Sequence, residues 1–199
     1  MAIGYPDDRT AIGNQHSAIG NNRMIFVFLL LALFVTPDDW PQFRGPTGQG
    51  VSDEKGLPLT WSENKNVRWK VPIPGRGWSS PVVHGDRVWV TTATEEGKSL
   101  RAIAIDRNSG AVLLDVEVFR LKSAKLTNAK NSFASPTPVI DGDRIYVHFG
   151  AFGTACITQS GETVWKTRLK YDNGQHGTGG SPVIYNDLLI VSCDGNDVQ

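Results

Sequence analysis

One phrase occurs three times in this chain, and it limits the fold more than any other feature. The copies are Trp78-Ser-Ser-Pro-Val-Val-His-Gly-Asp-Arg-Val-Trp-Val90, Ala134-Ser-Pro-Thr-Pro-Val-Ile-Asp-Gly-Asp-Arg-Ile-Tyr-Val147 and Gly180-Ser-Pro-Val-Ile-Tyr-Asn-Asp-Leu-Leu-Ile-Val191. Each reads Ser/Thr-Pro, a short β-rich run, a Gly-Asp or Asn-Asp turn, then a second β-rich run. That is a β-hairpin written in residues. Pro81, Pro138 and Pro182 stand at the strand entrance, where a missing N–H removes no ladder bond. The prolines lie 57 and 44 residues apart, a period that points to propeller blades.

A second, looser signature follows the first two copies: Ala104-Ile-Asp-Arg-Asn-Ser-Gly-Ala-Val-Leu-Leu114 and Ala155-Cys-Ile-Thr-Gln-Ser-Gly-Glu-Thr-Val-Trp165, with the glycines 51 residues apart. Ser-Gly supplies a tight turn, and a large residue five positions after the Ser packs back. One unit therefore holds two hairpins, four strands in about 50 residues, the dimension of a blade. Alternation within Ser99–Asp106 puts Leu100, Ala102 and Ala104 on one face and Arg101, Ile103 and Ile105 on the other. Apolar residues on both faces suit a sheet stacked between neighbours. The expected fold class is all-β: a β-propeller of four-stranded antiparallel blades, with about two full blades plus parts of others.

Equal numbers of basic and acidic residues, 20 each, leave no excess positive charge to hold nucleic acid. Cys156 and Cys193 belong to no CxxC pair and have no His at metal-ligand spacing. Free Cys buries readily, so two buried, unpaired thiols are expected, a disulfide being the alternative. Residues 1–23 are polar and aperiodic and predict no regular structure; a start of translation at Met24 would make them an artefact. Met24 to Val35 are twelve apolar residues, short of the roughly 20 that span a bilayer as a helix. With Arg23 before them and Thr36-Pro37 after, residues 24–37 fit a signal-peptide hydrophobic segment. The expected location is periplasmic or extracellular, with no stable membrane span.

Residues 38–66 form an extended lead-in, a strap whose Trp40 and Phe43 pack on the body, with Arg44 solvated or bonded to carbonyls. Residues 67–199 carry the partial propeller. Within them, Val67–Ile73 reads as a clear strand, and Trp69 aligns with Trp165 as an outermost strand that seals a ring. Two four-strand units are read at 78–119 and 134–169, and a third begins at Ser181. On that count the chain reads as the N-terminal portion of a longer protein.

The pattern Ala-x-Asp-x-x-(Ser/Thr)-Gly-x-x-x-Trp resembles the tryptophan-docking repeat of the pyrroloquinoline-quinone (PQQ)-like, or quinoprotein-like, propeller superfamily. Trp165 takes the docking position; Leu114 replaces that tryptophan in the preceding unit, and Ile157 replaces the aspartate in the later unit, that of Trp165. The Trp40-Pro-Gln-Phe-Arg-Gly-Pro46 opening resembles secreted bacterial members without an assigned activity. The resemblance covers about residues 39–199 and implies a fold shared by alcohol dehydrogenases, an outer-membrane assembly lipoprotein and exported proteins of no assigned function, so it does not choose among functions.

Loops entering the innermost strands and loops joining the second and third strands meet on one face of a propeller. They comprise 74–79, 125–135 and 172–180, with 94–98, 148–153 and 194–197. This places Arg76, Trp78, Asn128, Lys130, Asn131, His148 and His176 around one end of the channel, with Arg76, Trp78, Asn131, His148 and His176 as cofactor- or ligand-contact candidates. Asp106 belongs to the scaffold. No catalytic residue or metal ligand is identifiable. A PQQ dehydrogenase, as the resemblance implies, needs a Ca²⁺ site, a general-base aspartate and an aromatic over the quinone, and its larger forms carry two adjacent cysteines. This chain has no such pair. The expectation is an exported binding or scaffolding module that holds a protein or polysaccharide ligand on the loop face. A PQQ- and calcium-dependent oxidoreductase and a carbohydrate-binding propeller are the alternatives.

Overall fold

The computed structural model describes residues 2–4, 39–123, 128–172, 176–193 and 195. The described residues are all-β, built as three antiparallel sheets with two single-turn 3₁₀ segments, Glu95–Gly97 and Gly150–Phe152. Strand β1 is Ala2–Gly4. The first blade is β2 (Val82–His84), β3 (Arg87–Thr94), β4 (Ser99–Asp106) and β5 (Val112–Arg120), paired in that order. The second is β6 (Val139–Asp141), β7 (Arg144–His148), β8 (Thr154–Thr158) and β9 (Thr163–Thr167), again in order. The third repeat forms β10 (Val183–Tyr185) and β11 (Leu188–Ile190). Its hairpin turns at Asn186-Asp187 as the others turn at Gly85-Asp86 and Gly142-Asp143, so all three repeats keep one register.

The sheets stack face to face because successive residues of each central strand point to opposite sides. Leu100, Ala102, Ala104 and Trp89 of the first blade meet Ile145, Val147, Ala155 and Ile157 of the second. Tyr146 and Cys156 point the other way and meet Leu189 and Val191 of the third. Trp89, Leu100, Ile145 and Tyr146 are fully buried, each contributing about 1.5–3 kcal/mol of hydrophobic stabilisation. Trp89 also crosses the blade boundary, its Nε1 donating to Gln159 Oε1 at 3.1 Å.

Three expectations are corrected. Val67–Ile73 forms no strand: its residues have no ladder partner among the described residues and lie across the outer face of the first blade. There Trp69, Val71 and Ile73 pack on Val88, Ile103 and Ile105. The large residue after the first Ser-Gly turn, Leu114, packs not back on its own turn but forward on Gly161, and the aligned Trp69 covers Gly110. Trp69 sits where a Cβ on Gly110 would come within 2.7 Å of the indole, and its Nε1 donates to Arg107 O at 2.9 Å. Leu114 and Val116 cover Gly161 in the same way. Finally, residues 2–4, read as unstructured, pair antiparallel with β11, in the slot that a third strand fills in the other blades. The leader and signal-segment expectations otherwise fall on 5–38, outside the described residues. No described helix is long and apolar enough to cross a membrane.

Candidate functional site

The repeated Ser/Thr-Pro step builds the floor of the site. Ser80 N donates to Thr137 Oγ1 at 2.9 Å, and Thr137 N donates to Ser181 Oγ at 3.0 Å. Ser80, Thr137 and Ser181 each precede a repeat proline, so the first and second blades each hand an N–H to the hydroxyl of the next. A β-branched hydrocarbon of the same shape would leave a buried donor without an acceptor. The proline accounts for the strand entrance, and the hydroxyl before it joins the blades.

The loops above this floor are stitched to one another. Gly77 lies flat on β3, where a Cβ would come within 2.3 Å of Thr91 O. This close approach lets Arg76 N and O exchange bonds with Ala93 (3.0 and 2.9 Å). Arg76 Nη2 then reaches Ala129 O at 2.6 Å, and Ser132 Oγ donates to Arg76 O at 2.9 Å. Asn131 joins the third loop, its Nδ2 donating to His176 O (2.7 Å) and Thr178 O (3.2 Å), while its Oδ1 accepts from Ser132 N and Ser135 Oγ.

Arg76 and Asn131 thus both lie beside Trp78. Trp78 is 54% exposed, with the Arg76 guanidinium 6.0 Å from its ring centre. His176 enters the network through its backbone carbonyl, with the residue itself exposed. Asn128 closes a local turn, its Oδ1 accepting from Lys130 N at 2.9 Å. His148 is a correction: it is buried inside the second blade, its Nδ1 against Thr154 Oγ1 at 2.8 Å and Nε2 against Tyr171 Oη at 3.3 Å. Burial pushes its imidazole down to about 4, because the charged form loses its hydration there. Cys156 is buried and Cys193 only half-buried, and both are free thiols; burial raises the Cys156 thiol to about 11.

The strap contributes what the repeats alone do not show. Trp40 exchanges two backbone bonds with Val83, both 2.9 Å, and Pro41 O accepts from Ile140 N at 2.8 Å. The strap therefore runs along the innermost edges of two blades. It is anchored by the Asp39 carboxylate, which accepts from Gly85 N at 2.9 Å and pairs with His84 Nδ1 at 2.6 Å. Trp40 packs over Gly45 of the strap itself rather than on the body, and Phe43 does not pack away. It is 48% exposed, with the Arg44 guanidinium 5.5 Å from its ring centre. Phe43, Arg44, Trp78, Asn131, Ser135 and Val183 line a cleft of about 770 Å³ whose lining contains no carboxylate. Two aromatics in Trp-Pro-x-Phe-Arg-Gly ahead of the body were the signal for it, but nothing local says which of them turns outward.

Asp106 lies off this face and closes its own turn, its Oδ1 accepting from Asn108 N, Ser109 N and Ser109 Oγ at 3.1, 2.6 and 2.7 Å. The Ser109 hydrogen bonds hold its carboxyl below the ordinary carboxylate value. A quinone with Ca²⁺ needs carboxylate and amide oxygens beside an aromatic. Trp78 supplies the aromatic, but its companions are guanidinium, amide and hydroxyl groups. No group of three His, Cys, Asp or Glu able to hold a cation occurs among the described residues. The described residues by themselves do not fit that cofactor.

A family model described as outer membrane protein assembly factor BamB, of the PQQ-like repeat type, matches residues 51–198. No curated protein matches the chain. The chain belongs to the PQQ-like repeat family.

Proposed function

We propose that this PQQ-like repeat protein is an exported, non-catalytic binding module that docks a protein on its loop-bearing face. One observation carries the reading. Arg76, Asn131 and Ser132 are committed to carbonyls of neighbouring loops, which makes the rim a fixed platform, while Trp78 and Phe43 are left about half exposed. Rigid aromatics displayed on a polar, preorganised surface are what interface hot spots are made of. The matching family is described by an outer-membrane assembly factor, which favours a protein partner in the cell envelope, and the apolar run at Met24–Val35 favours export. An exposed Trp beside hydroxyls also suits a polysaccharide, the second reading.

A photo-crosslinking residue in place of Trp78, in cells producing the full chain, tests this. Discrete adducts in the envelope fraction are expected, and Trp78→Ala weakens binding of the crosslinked partner by roughly tenfold or more. Absence of adducts, or tight stoichiometric binding of PQQ with Ca²⁺, overturns it. Fractionation tests export: a cytoplasmic protein that retains Met24–Val35 sinks that part.

A further inference from the structure

The three inner strands are equivalent, and two of them show what their edges take. Val83, Ile140 and Ile184 each stand two residues before the turn pair and oppose Val88, Ile145 and Leu189. At such positions of a two-residue hairpin the N–H and C=O point away from the partner strand. Val83 gives both groups to Trp40, and Ile140 gives its N–H to Pro41 O. Consecutive strap residues thus serve consecutive blades. The strap then turns away, Gly45 N bonding Gln42 O at 2.9 Å, and Ile184 has no backbone partner among the described residues.

That third edge borders the cleft. Pro182 and Val183 form one wall, and Phe43, Arg44 and Gly48 of the strap form the other. Val183 is 49% and Tyr185 64% exposed, and past Pro182 the three residues of the edge include no charged residue or proline to protect it. The volume, about 770 Å³, lies in the range of ligand sites. Its charge is one-sided: Arg44 is exposed, Arg76 stands beside Trp78, and no carboxylate lines the walls.

We infer that the cleft receives an extended acidic peptide segment of a partner protein, which adds as a strand to the Ile184 edge of β10. The mode is β-augmentation: main-chain bonds supply affinity, and alternate side chains reach flanking pockets. Apolar side chains of the peptide meet Val183 and Trp78, and an acidic one meets Arg44. A sugar lacks the alternating N–H and C=O that this edge presents. The inference rests on the binding function proposed above and names the ligand of that same face.

Amide hydrogen exchange of the full chain tests it, with a capped peptide of alternating Val and Glu as the probe. Two further versions carry N-methyl groups on one or the other alternate set of amides, and a fourth replaces Glu by Lys. At saturation the Val/Glu peptide slows exchange at Ile184 by about tenfold or more. Only one of the two N-methylated versions loses this effect, since only one set of amides faces β10. The Lys version binds roughly tenfold more weakly, and Arg44→Glu reverses that preference. An Ile184 amide already protected in the protein alone, an unchanged Ile184 on peptide binding, or equal effects of both N-methylated peptides overturns the inference. Binding of polygalacturonate but of no peptide also overturns it and leaves a rim-binding function standing. If Trp78 also forms no envelope adduct, that function falls with it.

Discussion

The first and second blades share strand order, register and turn, yet they solve the same three positions differently. At the fifth residue of the second strand, the first blade has Thr91, whose hydroxyl bonds Ala134 O and Pro136 O across the boundary. The second blade has His148, buried and pushed down to about 4. Over the Ser-Gly turn, Gly110 is covered by an indole that also donates a hydrogen bond, whereas Gly161 is covered by the aliphatic Leu114 and Val116. Asp106 closes the first turn with a carboxylate; Ile157 cannot, and Thr158 takes over, its Oγ1 meeting Ser160 Oγ at 2.7 Å and accepting from Glu162 N at 3.1 Å. A blade tolerates these exchanges because the ladder and the apolar faces define it, while the exchanged groups tune how it joins its neighbour.

The largest expected difference is in acid. Folded His148 titrates at about 4 against an ordinary 6.5, so between those values the native protein binds fewer protons than the unfolded chain. The stability of the neutral, buried imidazole is complete above pH 6.5 and is lost as pH falls to about 4, a change on the order of 3 kcal/mol. Urea unfolding across that window measures it, and His148→Gln flattens the dependence. A wild type equally stable at pH 6.5 and 4.5 contradicts the assignment.

Next come the two glycines, which both have positive φ, +76° at Gly110 and +88° at Gly161. Gly110→Ala forces the rigid indole of Trp69 aside and costs about 2–3 kcal/mol; Gly161→Ala meets flexible methyl groups and costs about 1 kcal/mol. Equal costs in thermal unfolding would show that the turn conformation, not the docked side chain, sets the penalty. Thr137→Val costs about 1–2 kcal/mol because it strands Ser80 N–H, and Thr137→Ser recovers most of that loss. A Val variant as stable as wild type removes the hydroxyl relay from the blade joints.

Asp106 gives the smallest effect, since its carboxylate is exposed. Its lowered value means that its stabilisation is present above the unfolded carboxyl value, near 3.8, and is lost as pH falls through the folded one. Asp106→Asn therefore removes an acid-sensitive contribution confined to the first blade. An unchanged acid limb in that variant contradicts the role given to the Ser109 hydrogen bonds.

The hairpins were legible in the residues because a turn and its flanking strands are local: Gly85-Asp86 and Gly142-Asp143 need only their immediate neighbours. The alternation in Ser99–Asp106 likewise announced a sheet covered on both faces, and the rim group Arg76, Trp78 and Asn131 followed from where loops precede the repeat prolines. His148 was misplaced because the end of a strand borders both the rim and the core, and only packing decides between them. Val67–Ile73 has strand composition, but a strand also needs a partner edge.

By itself, the amino-acid sequence determined the repeat, its period and the all-β class, since each rests on contacts within a few residues or on simple alternation. Tertiary structure decided the rest. It chose which glycine Trp69 and Leu114 cover, turned Phe43 outward, buried His148, and made the hydroxyls of Thr137 and Ser181, each before a proline, the link to the preceding blade. The glycine covers and the hydroxyl links join groups about 40 to 60 positions apart in the chain, and only stacked sheets bring such groups together. The feature that first defined the chain, Ser/Thr-Pro, is therefore half local and half long-range: its proline opens a strand, and its hydroxyl holds the blade before it.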